Sequence, residues 1–291
     1  MRIAMSCFGG ARLVETHDKP CDYSEYLGPD YKKTMPQGKK VPTLVYNHTG
    51  QFDWGWFLLS KFQAPTVMEI HWIAEKFFRN CIDANQCIVI KDFERKVEGM
   101  GDLCAKRISE RQELIMESEE DWNPLVIAPE GLRTNGKYIV RFKRGAFLSL
   151  RPVIPATIKY DYTQCSQTTD PSGYNVDLLI FSQFIPTTVY IDTYAPFIPN
   201  EYLFTEYRKK LPGGEKMEKW QVYAEAVRDI IAKEANLIKS ANTGADNINY
   251  KRFMRGWTNE VTSSTGKTFT WPHSPGPCCT KKMEDGDKKT N

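Results

Sequence analysis

The feature that most constrains this fold is an alternation of short apolar runs with one long amphipathic stretch. Residues 41–46, 67–73, 87–90 and 125–129 are compact runs rich in Val, Ile and Leu, as expected of strands buried inside a sheet. Between the last two, residues 101–118 read as a helix. Leu103, Ile108, Leu114 and Ile115 share its broad apolar face, and Lys106, Arg107, Glu110 and Arg111 lie mostly on the solvated side. Strand, helix, strand predicts an α/β fold with a central, mostly parallel sheet flanked by helices. A brief helix is expected at 75–79. Further strands are expected at 153–160, 176–181 and 188–193. Pro155 inside the first of these indicates an edge position or a bulge, because proline cannot donate to the ladder. Residues 217–239 form the clearest helix, with Trp220, Tyr223, Val227, Ile230, Ile231 and Ile238 near one stripe.

A chain of 291 residues accommodates one large α/β domain or two small ones, and no internal repeat divides it. The expected organisation is a polar N-terminal arm over 1–40, one α/β domain over 41–240 and a polar tail over 241–291 that needs a partner to become ordered. Arg2 and Arg12 precede the first acidic residue, Glu15, as in a mitochondrial-type leader, although the apolar face of such leaders is poor here. Cys7 reads as an ordinary thiol or a lipid attachment point. Net charge is +3, from 39 basic and 36 acidic residues, too even for a nucleic-acid binder. No window reaches the ~18 consecutive apolar residues of a spanning helix, so the expected membrane contact is peripheral. Eight cysteines without paired CxxC spacing and only four histidines argue against a zinc site, and no metal is expected. Without a secretory signal the thiols are expected to be reduced.

The first apolar run leads directly into the chemistry. Asn47 to Gly50 break it, and Phe52, Trp54, Trp56, Phe57, Leu58 and Leu59 begin an apolar helix. His48 then sits at the end of a strand and Asp53 in the first helical turn, close enough for the turn to fold them together. A carboxylate beside an imidazole fixes its tautomer and stabilises its charged form, which suits a general base. Taken alone, the stretch fits equally a structural histidine and a helix-capping aspartate. Glu130 also lies just past a strand end, and the carboxyl ends of parallel strands form the ligand crevice of such sheets. Gly131 allows close backbone approach, Arg133 offers a fork for phosphate or carboxylate, and Lys143 with Arg144 makes a second basic turn.

These residues carry a resemblance. Asn47-His48-Thr49-Gly50-Gln51-Phe52-Asp53 resembles the NHx4D motif of glycerolipid acyltransferases, and Glu130-Gly131-Leu132-Arg133-Thr134 resembles their EGTR motif. The segment 142–147 is similar to their FK-x-GAF segment, and 152–155 to their final VPVIP motif. The lysophosphatidylcholine acyltransferase branch is the most similar. The resemblance implies an O-acyltransferase in which His48, supported by Asp53, takes the proton of a lysophospholipid hydroxyl, whose oxygen then attacks the thioester of acyl-CoA. Glu130, Gly131, Arg133 and Lys143 would bind the acceptor. Acyl-CoA is a co-substrate, and no cofactor is implied. The implied partners are lysophospholipid, acyl-CoA and a membrane surface; the N-terminal arginines and the Lys288-Lys289 pair point to the mitochondrial or the endoplasmic reticulum membrane.

Two departures stand against the pattern. Leu132 replaces a small hydroxyl residue, and Asp92 falls near the place of an arginine that contacts the acceptor phosphate, with Lys91 and Arg95 as substitutes. The alternative is therefore an acyltransferase-like subunit with a lipid-binding or structural role in a larger membrane complex. A serine or thiol hydrolase lacks the GxSxG elbow. Trp54, Trp56, Phe57, Leu58, Phe62, Trp72, Phe77 and Phe78 serve either as an interfacial patch or as core. Lys288-Lys289 resembles a dilysine retrieval signal.

Overall fold

The structure is a computed structural model describing residues 12–34, 40–50, 53–60, 65–70, 79–80, 82–84, 86–91, 100–161, 187–243, 246, 249, 253 and 260–270. The strand expected at 176–181, most of the helix at 75–79, and Asp92, Arg95, Trp72 and Lys288-Lys289 fall outside them.

The strands β1 (Arg12–Lys19), β2 (Thr43–Tyr46), β3 (Val67–Ile70), β4 (Ile88–Lys91), β5 (Leu125–Ile127), β6 (Tyr138–Ile139), β7 (Val153–Asp161), β8 (Thr188–Tyr194) and β9 (Ile238–Lys239) are joined by four helices that matter here. These are α1 (Ser24–Leu27), α2 (Asp53–Leu59), α3 (Met100–Glu117) and α4 (Lys219–Ala235). The central sheet has the order β1-β8-β7-β2-β5. All its pairings are parallel except β7 with β8. A parallel bridge from Thr66 to Val126 brings the β3–β4 pair alongside β5. The expected α/β architecture is therefore present, with β2, the strand before His48, in the interior of the sheet.

Side chains alternate between two cores. On one face Val45, Leu125, Ile127 and Val153 pack against α1, α3 and α4. On the other, Leu44, Tyr46, Val126, Ala156, Ile158 and Tyr160 pack against Trp56, Phe57 and Leu59 of α2. Burial on both faces explains why β2 and β5 read as unbroken apolar runs rather than alternating ones. Of the two readings of the aromatic stretch, interfacial patch or core, Trp56 and Phe57 follow the second.

Three expectations are corrected. First, the N-terminal arm is partly sheet. Arg12–Lys19 forms the edge strand β1 along β8, and Tyr23, Tyr26 and Leu27 are buried in the core beneath it. Second, α3 turns a different stripe inward. Ala105, Ile108, Gln112 and Ile115 are buried, at the helical spacing 3, 4, 3, while Leu103 and Leu114 are exposed. Gln112 can face inward because its amide donates to Thr43 Oγ1 (2.8 Å) and the Ala146 carbonyl (3.0 Å) and accepts from Ser149 Oγ (2.6 Å). Third, the last helix stops at Ala235, because Asn236 adopts the left-handed conformation that terminates helices, leaving Ile238 exposed on β9.

Pro155 sits in an interior strand, at a bulge. Between the Ala156–Thr193 and Val153–Phe197 pairs, β7 advances three residues and its partner four. The Val153 N–H points toward Phe197, so the Pro155 nitrogen, two residues on, points to the same side, where the ladder is interrupted. Among the described residues no helix is long and apolar enough to cross a membrane.

Candidate active site

Two parallel ladders aim the site. β2 pairs Val45 with Ile127 on one side and Tyr46 with Ala156 on the other. Carried three residues further along the first ladder, the register sets His48 level with Glu130. Carried four residues along the second, it sets Gly50 level with Tyr160. The chain leaves the sheet at Asn47 without leaving backbone groups unpaired. The Asn47 side-chain amide donates to the Ile158 carbonyl (3.0 Å) and accepts from the Ile158 N–H (2.9 Å), as a further ladder residue would.

His48 is held at both its backbone groups. Its N–H donates to Glu130 Oε1 (2.8 Å), and its carbonyl accepts from the Thr134 N–H (2.8 Å). Its Nδ1 is 2.7 Å from Asp53 Oδ2. Asp53 is fully buried, and the His48 side chain is 23% exposed. Three more donors reach Asp53: the Thr49 N–H on Oδ2 (2.8 Å), the Gly50 N–H on Oδ1 (2.9 Å) and the Tyr160 hydroxyl on Oδ1. A carboxylate offers about four acceptor sites, so this one is filled and its plane is fixed. Asp53 is not an N-cap. It is the first residue of α2, and its backbone donors precede it in the chain.

Gly50 is required here by space rather than by φ. A Cβ there would lie 2.5 Å from Tyr160 Oη and 2.8 Å from Asp53 Oδ1. Burial, followed by the negative charge of Asp53, holds the Tyr160 hydroxyl well above its ordinary pKa of 10, so it remains a donor. An imidazole fixed through Nδ1 on a buried carboxylate keeps Nε2 for a proton, the arrangement of a general base.

Residues 31–159 match the family model described as Acyltransferase. The matched stretch takes in the turn from Asn47 to Asp53, Glu130 and most of β7. A lysophospholipid acyltransferase, LPEAT1, of Arabidopsis thaliana is 32% identical over 133 residues, 45% of this chain and 30% of that protein. Lysophosphatidylcholine acyltransferase 2B of Mus musculus is 34% identical over 100 residues, 33% of this chain and 19% of its own. Lysophosphatidylcholine acyltransferase 2 of Danio rerio is 30% identical over 128 residues, 43% and 22% respectively. The chain thus spans under a third of the length of the curated relatives it matches. The crystal structure of a 1-acyl-sn-glycerophosphate acyltransferase, PlsC, from Thermotoga maritima overlaps with a TM-score of 0.45 at 13% identity, covering 81% of this chain and 75% of that one, too loosely to bear on mechanism.

Within the matched residues, direct bonds bring together His48, Asp53 and Glu130. Glu130, expected at the acceptor, is instead fully buried with both oxygens on backbone amides, His48 on Oε1 and Val140 on Oε2 (2.9 Å). Burial pushes its carboxyl up to about 8, against the pull of those two amides. Gly131 takes a left-handed turn at φ 63°. The Lys143 side chain lies over it, such that a Cβ at Gly131 would come within 2.7 Å of Lys143 Cε. Arg133 is half-buried, one residue from the Thr134 N–H that binds the His48 carbonyl. Arg144, the other half of the basic turn, faces Asp102 on α3. Sequence reasoning gave no role to Tyr160 or to the Asn47 amide. The available signal was that a tyrosine on a buried strand face needs a partner for its hydroxyl.

Proposed function

We propose that this protein moves a fatty acyl group from acyl-CoA to the free hydroxyl of a lysophospholipid. The observation that carries this reading is the His48 imidazole, held through Nδ1 at 2.7 Å by a carboxylate with no solvent exposure while the ring itself stays partly open. The names of the matched relatives, lysophospholipid and lysophosphatidylcholine acyltransferases, support the choice of acceptor.

In this reading His48 Nε2 takes the hydroxyl proton as the oxygen forms a bond to the thioester carbonyl carbon. The tetrahedral intermediate collapses with cleavage of the C–S bond, and the proton passes from Nε2 to the departing thiolate. Asp53 stabilises the imidazolium between the two steps. Arg133, beside the Thr134 N–H that binds the His48 carbonyl, and Lys143, whose side chain lies over Gly131, supply positive charge for the acceptor phosphate. Glu130 acts at one remove, by holding the His48 backbone. Because the acceptor is an amphiphile, the domain works at a membrane surface.

The test is transfer of labelled acyl groups from acyl-CoA to a panel of lysophospholipids. His48→Ala should lower kcat/KM by about 10²–10⁴ or more while circular dichroism stays unchanged. Binding of lysophospholipid by the wild-type protein without any transfer would replace this reading with that of a lipid-binding subunit.

A further inference from the structure

We propose that Tyr160 is a positioning residue of the His48–Asp53 pair, its hydroxyl locking the Asp53 carboxylate so that His48 keeps one tautomer and one orientation. Only the kinetic consequence of this rests on the acyl-transfer reading.

Tyr160 is delivered by register. It lies on β7 two residues past Ile158, which the Asn47 amide clamps to the end of β2. It therefore shares the face of Ala156, Ile158, Tyr46 and Trp56 and reaches the turn from the side opposite Glu130. On arrival its hydroxyl finds Asp53 Oδ1, the oxygen that already accepts the Gly50 N–H. The other oxygen carries the His48 Nδ1 and the Thr49 N–H. Two donors on each oxygen balance the carboxylate about its axis. With the hydroxyl removed, Oδ1 keeps one donor against two on Oδ2, and the group can tilt toward the turn, changing the angle at which it meets the imidazole.

The surrounding chain is shaped to this approach. Position 50 carries no Cβ, and one placed there would meet both the hydroxyl oxygen (2.5 Å) and Oδ1 (2.8 Å). Tyr160 and Asp53 are both buried, so water cannot substitute for the missing donor without a cavity to hold it. The hydroxyl, which also meets the Trp56 side chain, joins a chain of groups from β7 through Asp53 to the imidazole.

Tyr160→Phe removes a single oxygen and keeps the ring. The first readout is independent of activity: the ¹H and ¹⁵N resonances of the His48 ring in isotope-labelled full-length protein. Wild type should show an exchange-protected, downfield Nδ1 proton, and the variant should show it shifted or broadened. The second readout is kinetic: kcat should fall about tenfold with KM nearly unchanged. Site-specific 3-fluorotyrosine at 160, a stronger donor of almost the same shape, should move the His48 resonance in the opposite direction. It also serves as the measurement if the phenylalanine variant does not fold. A wild-type His48 signal in both variants would overturn the proposal, as would a wild-type kcat with a folded Tyr160→Phe protein. If wild type transfers no acyl group yet the His48 signal responds to Tyr160, the acyl-transfer reading falls and the positioning role stands.

Discussion

Glu130 ties the backbone at His48 to the backbone at Val140. One oxygen holds the His48 N–H and the other the Val140 N–H, and solvent reaches neither. Glutamine at this position puts an NH₂ against one of the two amides, donor facing donor, at a cost of about 1–3 kcal/mol. For a chain of this size that is a loss of several °C in Tm, on the order of 2–4 °C per kcal/mol. The carboxyl also links stability to pH. Its folded value is raised from an ordinary 4.5 to about 8, so in this window the folded state keeps a proton that the unfolded state has released. The stabilisation is complete below about 4.5 and is lost as pH rises toward about 8. Thermal unfolding measured from pH 4.5 to 9 should therefore show wild-type Tm falling more steeply than that of Glu130→Gln. Parallel curves would mean that Glu130 does not titrate in the fold. At this scale His48, Asp53 and Glu130 were visible in the sequence as residue types at telling spacings. The task of Glu130 was not, because the sequence of a turn does not say which carboxylates end up inside. Tyr160 was not visible either, since its partner lies 107 positions away and only the strand register brings them level.

Elements were easier to read than their faces. β2 and β5 are legible because apolar β-branched segments fit a sheet covered on both sides, and β8 because its residues alternate. The α3 stripe was misplaced because one buried position is polar. Once Gln112 is inside and satisfied by Thr43, Ala146 and Ser149, the stripe shifts and leaves Leu103 and Leu114 outside. The end of β2 depends on a comparable polar device. Asn47 donates and accepts against the same residue, Ile158, and so holds the turn that presents His48. Asn47→Asp keeps the acceptor for the Ile158 N–H and replaces the donor by an oxygen facing the Ile158 carbonyl. The expected cost is about 3 kcal/mol or more, since the new charge is buried without a partner. Urea titration should show the lowered midpoint. The residual folded protein should also lose acyl transfer more than its folded fraction explains, because His48 follows directly on Asn47. Loss of activity strictly in proportion to unfolding would show that the amide supports the sheet and does nothing to aim the ring.

At the scale of the whole molecule, the sheet does not begin where the motifs do. The family match starts at residue 31, yet β1, at Arg12–Lys19, closes the far edge of the sheet. Polar composition hid it from the sequence reading. An edge strand needs apolar side chains on one face only, and β1 offers little beyond Leu13 and Val14. Its attachment is mostly backbone, with Lys19 adding a 3.0 Å ion pair to Asp192. If residues 1–20 were an arm lying on a finished domain, removing them would leave stability unchanged. As an edge strand, their removal strips β8 of its parallel partner along Thr188–Tyr194 and uncovers a row of unpaired amides and carbonyls beside the buried Val189 and Ile191. The protein lacking residues 1–20 should then melt lower by on the order of 10 °C and sediment as larger species at concentrations where the intact chain does not. The His48–Asp53–Tyr160 group should survive in whatever monomer remains, because β8 and β7 still stand between the lost strand and β2. Measuring melting, sedimentation and acyl transfer on the same sample separates the outcomes. An unchanged Tm would return these residues to the role of an arm. Loss of activity in a stable monomer would show that the far edge of the sheet is coupled to the site, which nothing in the strand order predicts.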